Sequence, residues 1–343
     1  MKIAIIGAGI AGLTAGKELA EAGHEIVVFE KSRGFGGRLA TRYAGDKHQL
    51  KFDHGVPYFE AHTADFQQFV VELMDKDIVR LWNGDFVIHD GEGFVPASLT
   101  APRYVAGEGM NKIGQYLSRW VDVRTETRVG GITHVGGSGK KRNWMLNLQS
   151  SDTEGFDAII IATPAKQAYA ILNTTIDEIS TLNIVKDVDE VSYLPTFSLL
   201  LQYTGGPDIS WNAAELPDHP SIRWISNEVS KERGAHQKGT FVVHSSYDFA
   251  QAHINDDRDE IMHALLDDLG GLLGSWAGLP TMKNLHFWRY SKPENPIHQP
   301  FLEVRNQQSP VALIGAYMNG DTVESAFHSG KALARHWNTV FGK

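Results

Sequence analysis

Cysteine is absent from the 343 residues. That one gap excludes disulfides, thiol catalysis, covalent cofactor attachment through sulfur and cysteine-held iron–sulfur clusters. An excess of positive charge is lacking as well: 32 Lys and Arg face 41 Asp and Glu, a formal net charge of -9, which argues against general nucleic-acid binding. The fifteen histidines are scattered, with no His-Glu-x-x-His or similar paired spacing, so no metal site is expected. No window approaches a membrane span, and the apolar start after Lys2 is interrupted by Glu18 and Glu21, unlike a secretory signal. A cytoplasmic location without membrane partners is therefore expected. Internal repeats and low-complexity tracts are missing too. With 42% hydrophobic and 21% charged residues, the chain can bury a large core and divide into two structural domains.

What is present begins at once. Met1 to Ile6 reads as an apolar strand running into Gly7-x-Gly9-x-x-Gly12, followed by a helix over Leu13–Glu21 and a stop at Ala22-Gly23-His24. A second strand, Glu25 to Glu30, ends in an acid about eighteen residues beyond the last glycine. In such a unit Gly7 permits a tight turn, Gly9 lets a pyrophosphate approach the backbone and Gly12 lets helix and strand pack closely, while Glu30 accepts from a ribose hydroxyl. A dinucleotide site follows. Lys31-Ser-Arg33-Gly-Phe-Gly36-Gly37-Arg38 then places cationic residues and a glycine pair where a nicotinamide-binding fold begins its next helix, which suits a second phosphate contact.

Gly7 to Gly12, Glu30 and Arg33-x-x-Gly36-Gly37-Arg38 together resemble the FAD-binding signature of the amine oxidase and phytoene desaturase superfamily. Phe52-Asp-His-Gly-Val-Pro-Tyr-Phe59, Arg103-Tyr104, Gly107 to Met110, Ile159 to Ala168, Val242 to Ser245 and His286 to Tyr290 fall in the order and spacing of bacterial renalase-like proteins within it. Val323-Glu324-x-Ala326-x-x-Ser329-Gly330 extends the likeness to the last helix. The resemblance implies noncovalent FAD. It assigns cofactor contacts to Gly7, Gly9, Ile10, Ala11 and Gly12, to Glu30, Lys31, Arg33, Gly36, Gly37 and Arg38, and to His54 and Gly55. Further contacts are implied for Val129, Ala162 and Thr163 and for Gly315, Val323 and Glu324. One departure is visible: the last strand ends Gly315-Ala316, where the superfamily usually has Gly-Asp, and Asp321 is close enough in sequence to replace the missing acid through a rearranged turn.

The expected fold is α/β, a discontinuous Rossmann-type FAD-binding domain over residues 1–60, 104–168 and 301–343. A second, α+β substrate domain over 61–103 and 169–300 is expected to rest on an antiparallel sheet. It holds a helix at Ala64–Asp75, strands at Val79–Trp82, Asp85–His89, Phe197–Tyr203, Ile222–Ile225 and Thr240–Ser245, and a helix at Asp256–Leu273. Gly136 to Arg142 reads as a solvated basic hairpin loop.

FAD carries the redox chemistry, so the protein supplies orientation and a dry pocket. His244, Arg289 and Tyr290 are candidate catalytic residues, and Tyr58, Trp224 and Trp288 candidate substrate contacts; each also has an ordinary core or surface reading. The renalase-like resemblance implies oxidation of aberrant 2- and 6-dihydro isomers of NAD(P)H, with O2 reoxidising the flavin to H2O2. Such a dihydropyridine gives up hydride without a base. An amine oxidase or desaturase stays open, since Trp82, Trp211, Trp224 and Trp288 could furnish an aromatic amine cage. So does a flavin- or partner-binding protein without turnover, on the strength of Ala316. Oligomeric state is not readable from the sequence.

Overall fold

An unbroken apolar run makes Lys2–Ile6 a strand buried on both faces, as central parallel strands are. It lies inside a six-stranded sheet ordered Leu302–Asn306, Ser309–Leu313, Ala158–Ile161, Lys2–Ile6, Glu25–Phe29, Asp122–Arg124. Neighbours pair in parallel except at the Leu302–Asn306 edge, which is antiparallel. The helix Ile10–Glu21 returns over this sheet and packs against the closing helix Val323–Phe341. Contact there is backbone-close, for a Cβ on Gly330 would stand 2.3 Å from the Ala11 carbonyl oxygen. Thr322 and Ser325 close a capping box at the start of Val323–Phe341. Together with the antiparallel strands Val129–His134, Trp144–Leu148 and Thr153–Phe156, these elements form one compact unit over Met1–Gly37, Ile113–Ser192 and Pro293–Lys343.

This computed structural model describes residues 1–135, 143–150, 152–175, 179–205, 207–234, 238–306 and 309–342. The expected hairpin loop over 136–142 lies outside them. Among the described residues, no helix is long and apolar enough to cross a membrane.

The second unit spans Arg38–Lys112 and Tyr193–Lys292. Its seven-stranded sheet runs Met282–Pro293, Tyr193–Gln202, Thr240–Ser245, Ile222–Asn227, Ala213–Glu215, Phe86–His89, Phe94–Pro96. Pairing is antiparallel from Tyr193–Gln202 through Ala213–Glu215, and Ala213–Glu215 joins Phe86–His89 in parallel. Alternation sorts its faces. Phe197, Leu199, Leu201, Phe241 and Val243 pack with Ile261, Leu265 and Leu269 of the helix Arg258–Leu273. Leu200 and Val242, on the opposite face, meet Leu50 and Phe52 of the hairpin Thr41–Ala44/Leu50–Asp53. That contact ties residues 38–60, expected with the nucleotide-binding domain, to this unit, to which 104–112 also belong; residues 169–192 and 293–300, expected in the second domain, belong to the first.

Beneath the hairpin sits a four-charge cluster whose side chains are wholly excluded from solvent: Asp53, Glu228, Lys231 and Arg233. Lys231 Nζ is 2.9 Å from Asp53 and 2.8 Å from Glu228, while Arg233 bonds to Asp53 and lies 3.2 Å from Glu228. Formal charges cancel. Thr41 Oγ1 and the Met110 N–H add donors to Asp53 at 2.7 and 3.1 Å, and Ser226 Oγ donates to Glu228 at 2.7 Å. Burial alone would raise the Asp53 carboxyl, but Arg233 and Lys231 overcome it and hold the group well below the usual carboxylate range. Removing one member strands the others, so Asp53→Asn is expected to lower unfolding stability by about 3–5 kcal/mol. Glu25→Gln, which removes an exposed partner 3.5 Å from Lys2 while Lys2 keeps its 2.8 Å pair with Glu154, should lower it by under about 1 kcal/mol. Urea unfolding of both variants checks the contrast. Because the folded Asp53 value is depressed, its contribution is complete above the unfolded value of about 3.9 and is lost as pH falls below it.

Candidate active site

In the first unit the glycine fingerprint builds an open cradle at a helix start. Gly7 has φ +110°, a conformation that favours glycine, and a Cβ there would meet the Ala162 oxygen at 2.9 Å. Gly9 caps the helix Ile10–Glu21 without any side-chain cap, leaving its first-turn N–H groups, on Ile10, Ala11 and Gly12, directed at the space in front of it. Nothing lies within 4 Å of where a Gly9 Cβ would be, whereas one on Gly12 would strike the Gly7 oxygen at 2.3 Å. Gly9 faces open space, and Gly12 is a packing glycine.

Glu30 is buried just past the second strand. Its carboxylate accepts the Ala8 N–H at 3.0 Å and the Ser32 N–H and Oγ at 2.8 and 2.7 Å. A carboxylate has about four acceptor sites, so one is left for a ribose hydroxyl. The Gly36-Gly37 turn folds back onto this cradle: the Gly36 N–H donates to the Ala8 oxygen at 2.8 Å, and a Gly37 Cβ would lie 3.3 Å from Gly9 Cα. Thr163 Oγ1 is buried without a partner beside half-buried Ala162. An uncapped helix start, an open glycine and an unspent hydroxyl fit a dinucleotide. Val129 is buried at a strand start, and Gly315 donates its N–H to Ser329 Oγ at 3.0 Å. Ala316 is buried; Asp321 is exposed before the cap, whereas Val323 and Glu324 are buried in the first turn of Val323–Phe341. Lys31 and Arg33 point away, Lys31 toward Gln167 and Arg33, almost fully exposed, toward Glu126.

In the second unit, Arg38 donates to the Ser291 oxygen at 2.8 Å, and a Gly55 Cβ would stand 1.9 Å from the Arg38 oxygen, so glycine is required there. His54 follows Asp53 directly. Its ring stacks on Trp288 with centroids 5.3 Å apart, and His286 meets both rings at 4.6 Å. The His54 carbonyl accepts from Trp288 Nε1 and Ser198 Oγ, each at 2.7 Å. Burial, and then neighbouring His286 and Arg42, push His54 down to about 3; burial and the nearby arginines push His286 to about 4, and His244 also lies well below its ordinary value. All three imidazoles are neutral at pH 7.

A β-bulge shapes the adjoining strand. Ile222 pairs with Ser245 and Trp224 with His244, which leaves Arg223 as the extra residue. Plain alternation would set Arg223 on the face opposite Trp224; the bulge instead brings Arg223 Nη2 to 3.3 Å from His244 Nδ1. A guanidinium only donates, so Nδ1 accepts and the ring proton sits on Nε2. The His54 carbonyl faces this ring with both its lone pairs already engaged, and His244 Nε2 has no partner at bonding geometry.

Tyr58 stands between Trp224, 5.3 Å away, and Trp82, 6.2 Å away. The guanidinium of Arg103 fills this aromatic box, 4.2 Å from the Tyr58 ring centre, 4.5 Å from Phe86 and 5.6 Å from Trp224. The four tryptophans expected as one cage are divided: Trp288 joins the histidines, and Trp211 packs with Phe94 in the helix-facing core. Arg289 is not brought to His244 or Trp288. Strand alternation turns it to the Phe287 face, where it is exposed. Tyr290 is half-buried and edge-on to Tyr193, 5.4 Å away. Arg103, Arg223 and the Asp53 cluster were missed as site elements; Arg103 had a signal, since its motif was visible, but a bulge and a buried network leave no periodic trace.

Known proteins resemble this chain at three levels. A family model described as NAD(P)-binding Rossmann-like domain matches residues 5–75, and one described as Flavin containing amine oxidoreductase matches residues 57–336. L-glutamate oxidase precursor of Streptomyces diastatochromogenes is 40% identical over 79 residues, 22% of this chain and 12% of that protein, so the match spans far less than two thirds of that relative. Among solved structures, cyclohexylamine oxidase of Brevibacterium oxydans IH-35A aligns over 100% of this chain and 99% of its own, with TM-score 0.70 and 12% identity. An oxidoreductase from Methanosarcina mazei aligns over 98% and 100%, with TM-score 0.71 and 13% identity. These alignments establish a shared fold.

Two outcomes are expected. Gly9→Val should leave apoprotein stability within about 1 kcal/mol, because its side chain enters open space in an extended backbone, yet weaken FAD roughly a hundredfold by occupying the phosphate position. Flavin absorbance after reconstitution, set beside urea unfolding, separates the two effects. Because His54 and His286 have depressed folded values, the unfolded chain binds their protons first; stability is therefore full above about pH 6.5 and falls as pH drops from there toward 4. Unfolding midpoints from pH 7 to 4.5 should show this slope, and His54→Phe should flatten it.

Proposed function

The chain belongs to the flavin containing amine oxidoreductase family, a family of FAD-dependent oxidoreductases, and from that premise we propose that it oxidises 2- and 6-dihydro isomers of NAD(P)H. Gly9, the helix start behind it and Glu30 would hold the cofactor, and the rings and donors around Trp288, His54 and Trp224 are the candidate substrate contacts. FAD, when bound, accepts a hydride and returns the electron pair to O2 as H2O2.

The observation that carries this reading over amine oxidation is Arg103. An aromatic box suited to an amine cation already contains the chain's own guanidinium, balanced by a bond to Glu215, so a second cation would meet like charge. The imidazoles support the same choice. Neutral groups held near 3 and 4 are weak bases, and a dihydropyridine needs none. Trp288 and His54 offer flat stacking surface for such a ring.

The deciding measurement is the visible spectrum of FAD-loaded protein during anaerobic addition of borohydride-treated NAD, followed by air. Bleaching within the addition and recovery in air with stoichiometric peroxide is the expected result. Bleaching by primary amines but not by the dihydropyridines would replace this reading with amine oxidation, and a spectrum unmoved by either would remove turnover altogether.

A further inference from the structure

On the sheet face carrying Trp224 and His244, unspent hydrogen-bond donors collect without matching acceptors. Arg223 is the centre of the imbalance. Its Nη2 is committed to His244, its Cζ lies 4.7 Å from the Tyr247 ring centre, and its Nε is buried with no acceptor. Among the described residues no carboxylate pairs with it; its electrostatic neighbours are the hydroxyls of Tyr247 and Tyr58 and the His244 ring. The next residue, Trp224, is buried with its Nε1–H unpartnered. Across Tyr58, Arg103 is buried with Nε and Nη1 unpartnered, its third nitrogen being taken by Glu215. Glu215 balances Arg103, and nothing balances Arg223.

Folded proteins leave few buried donors unpaired, and an enclosed cation without a counter-ion is rarer still. We propose that Arg223, Trp224 Nε1 and Arg103 form a receptor for an oxyanion, a carboxylate or a phosphate, carried by the substrate. The bulge is what makes it possible, because a regular strand would turn Arg223 to the far face. Planar guanidinium donors beside an indole N–H suit an oxygen anion and repel a cation. The proposal rests on the oxidase reading only in making the substrate the carrier: a phosphate in a dihydro-dinucleotide, a carboxylate in an acid.

Calorimetric titration of FAD-loaded protein with pyrophosphate, benzoate and uncharged benzamide tests the receptor directly. Wild type is expected to bind pyrophosphate or benzoate, and Arg223→Gln to bind the same probe roughly tenfold more weakly, with benzamide indifferent to the change. Pyrophosphate alone would identify phosphate as the source, benzoate alone carboxylate. Arg223→Lys, which keeps the charge, should recover part of the affinity, and matched unfolding midpoints exclude a folding defect. Failure of wild type to bind either anion, or equal binding by Arg223→Gln, overturns the receptor. In turnover, Arg223→Gln should raise KM for 6-dihydro-NAD roughly tenfold with kcat within about twofold, and leave KM for an uncharged N-methyl dihydronicotinamide unmoved. An equal rise for both substrates also overturns it. If no dihydropyridine reduces the flavin while calorimetry finds Arg223-dependent anion binding, the oxidase reading fails and the receptor stands.

Discussion

The buried quartet of Asp53, Glu228, Lys231 and Arg233 is the constraint on which the second unit turns. Two positive and two negative groups excluded from water hold one another only in one arrangement, since displacing any of them leaves an uncompensated charge in a low-dielectric interior. Asp53 is covalently next to His54, and Glu228 takes the Ser226 hydroxyl two residues beyond Trp224. The same ion cluster therefore fixes both the stacked imidazole and indole rings and the bulged strand. Its contribution lies in register and placement more than in net stability, for buried ion pairs return little beyond their desolvation cost.

Around that anchor the unit separates polar character by sheet face. One face is hydrocarbon packed on a helix; the other carries imidazoles kept neutral by burial and arginines whose donors exceed the local acceptors. Neutral rings and surplus donors suit an electron-rich ligand and supply no strong base, as the proposed cofactor-borne chemistry would require. In the first unit the arrangement is different: a helix start without a side-chain cap and one buried acid line the glycine turns, and charged side chains such as Arg33 stay in solvent.

Local pattern was a good guide wherever a residue's role depends on its neighbours in sequence. Ala64–Asp75 is helical as expected and is capped by Thr63; Thr240–Ser245 is a strand over the expected span; and Arg258–Leu273 begins just after its Asp257 cap, two residues inside the expected start. The glycine fingerprint specified turn, approach and close packing because each follows from a missing Cβ. Alternation failed at Ile222–Trp224, where an inserted residue reversed parity, whereas regular alternation exposed Arg289 by the same rule that turned Trp288 the other way.

By itself the sequence determined the Rossmann-type glycine turn, the α/β character and the absence of cysteine chemistry, since these depend on composition and on spacings of a few residues. Tertiary structure alone decided that Arg103 fills the aromatic box, that Glu228, Lys231 and Arg233 bury their charges against Asp53, and that Arg223 faces His244. Each of these joins residues far apart in the chain or depends on a strand defect, and the free energy of a charge is set by what surrounds it, which no local pattern contains.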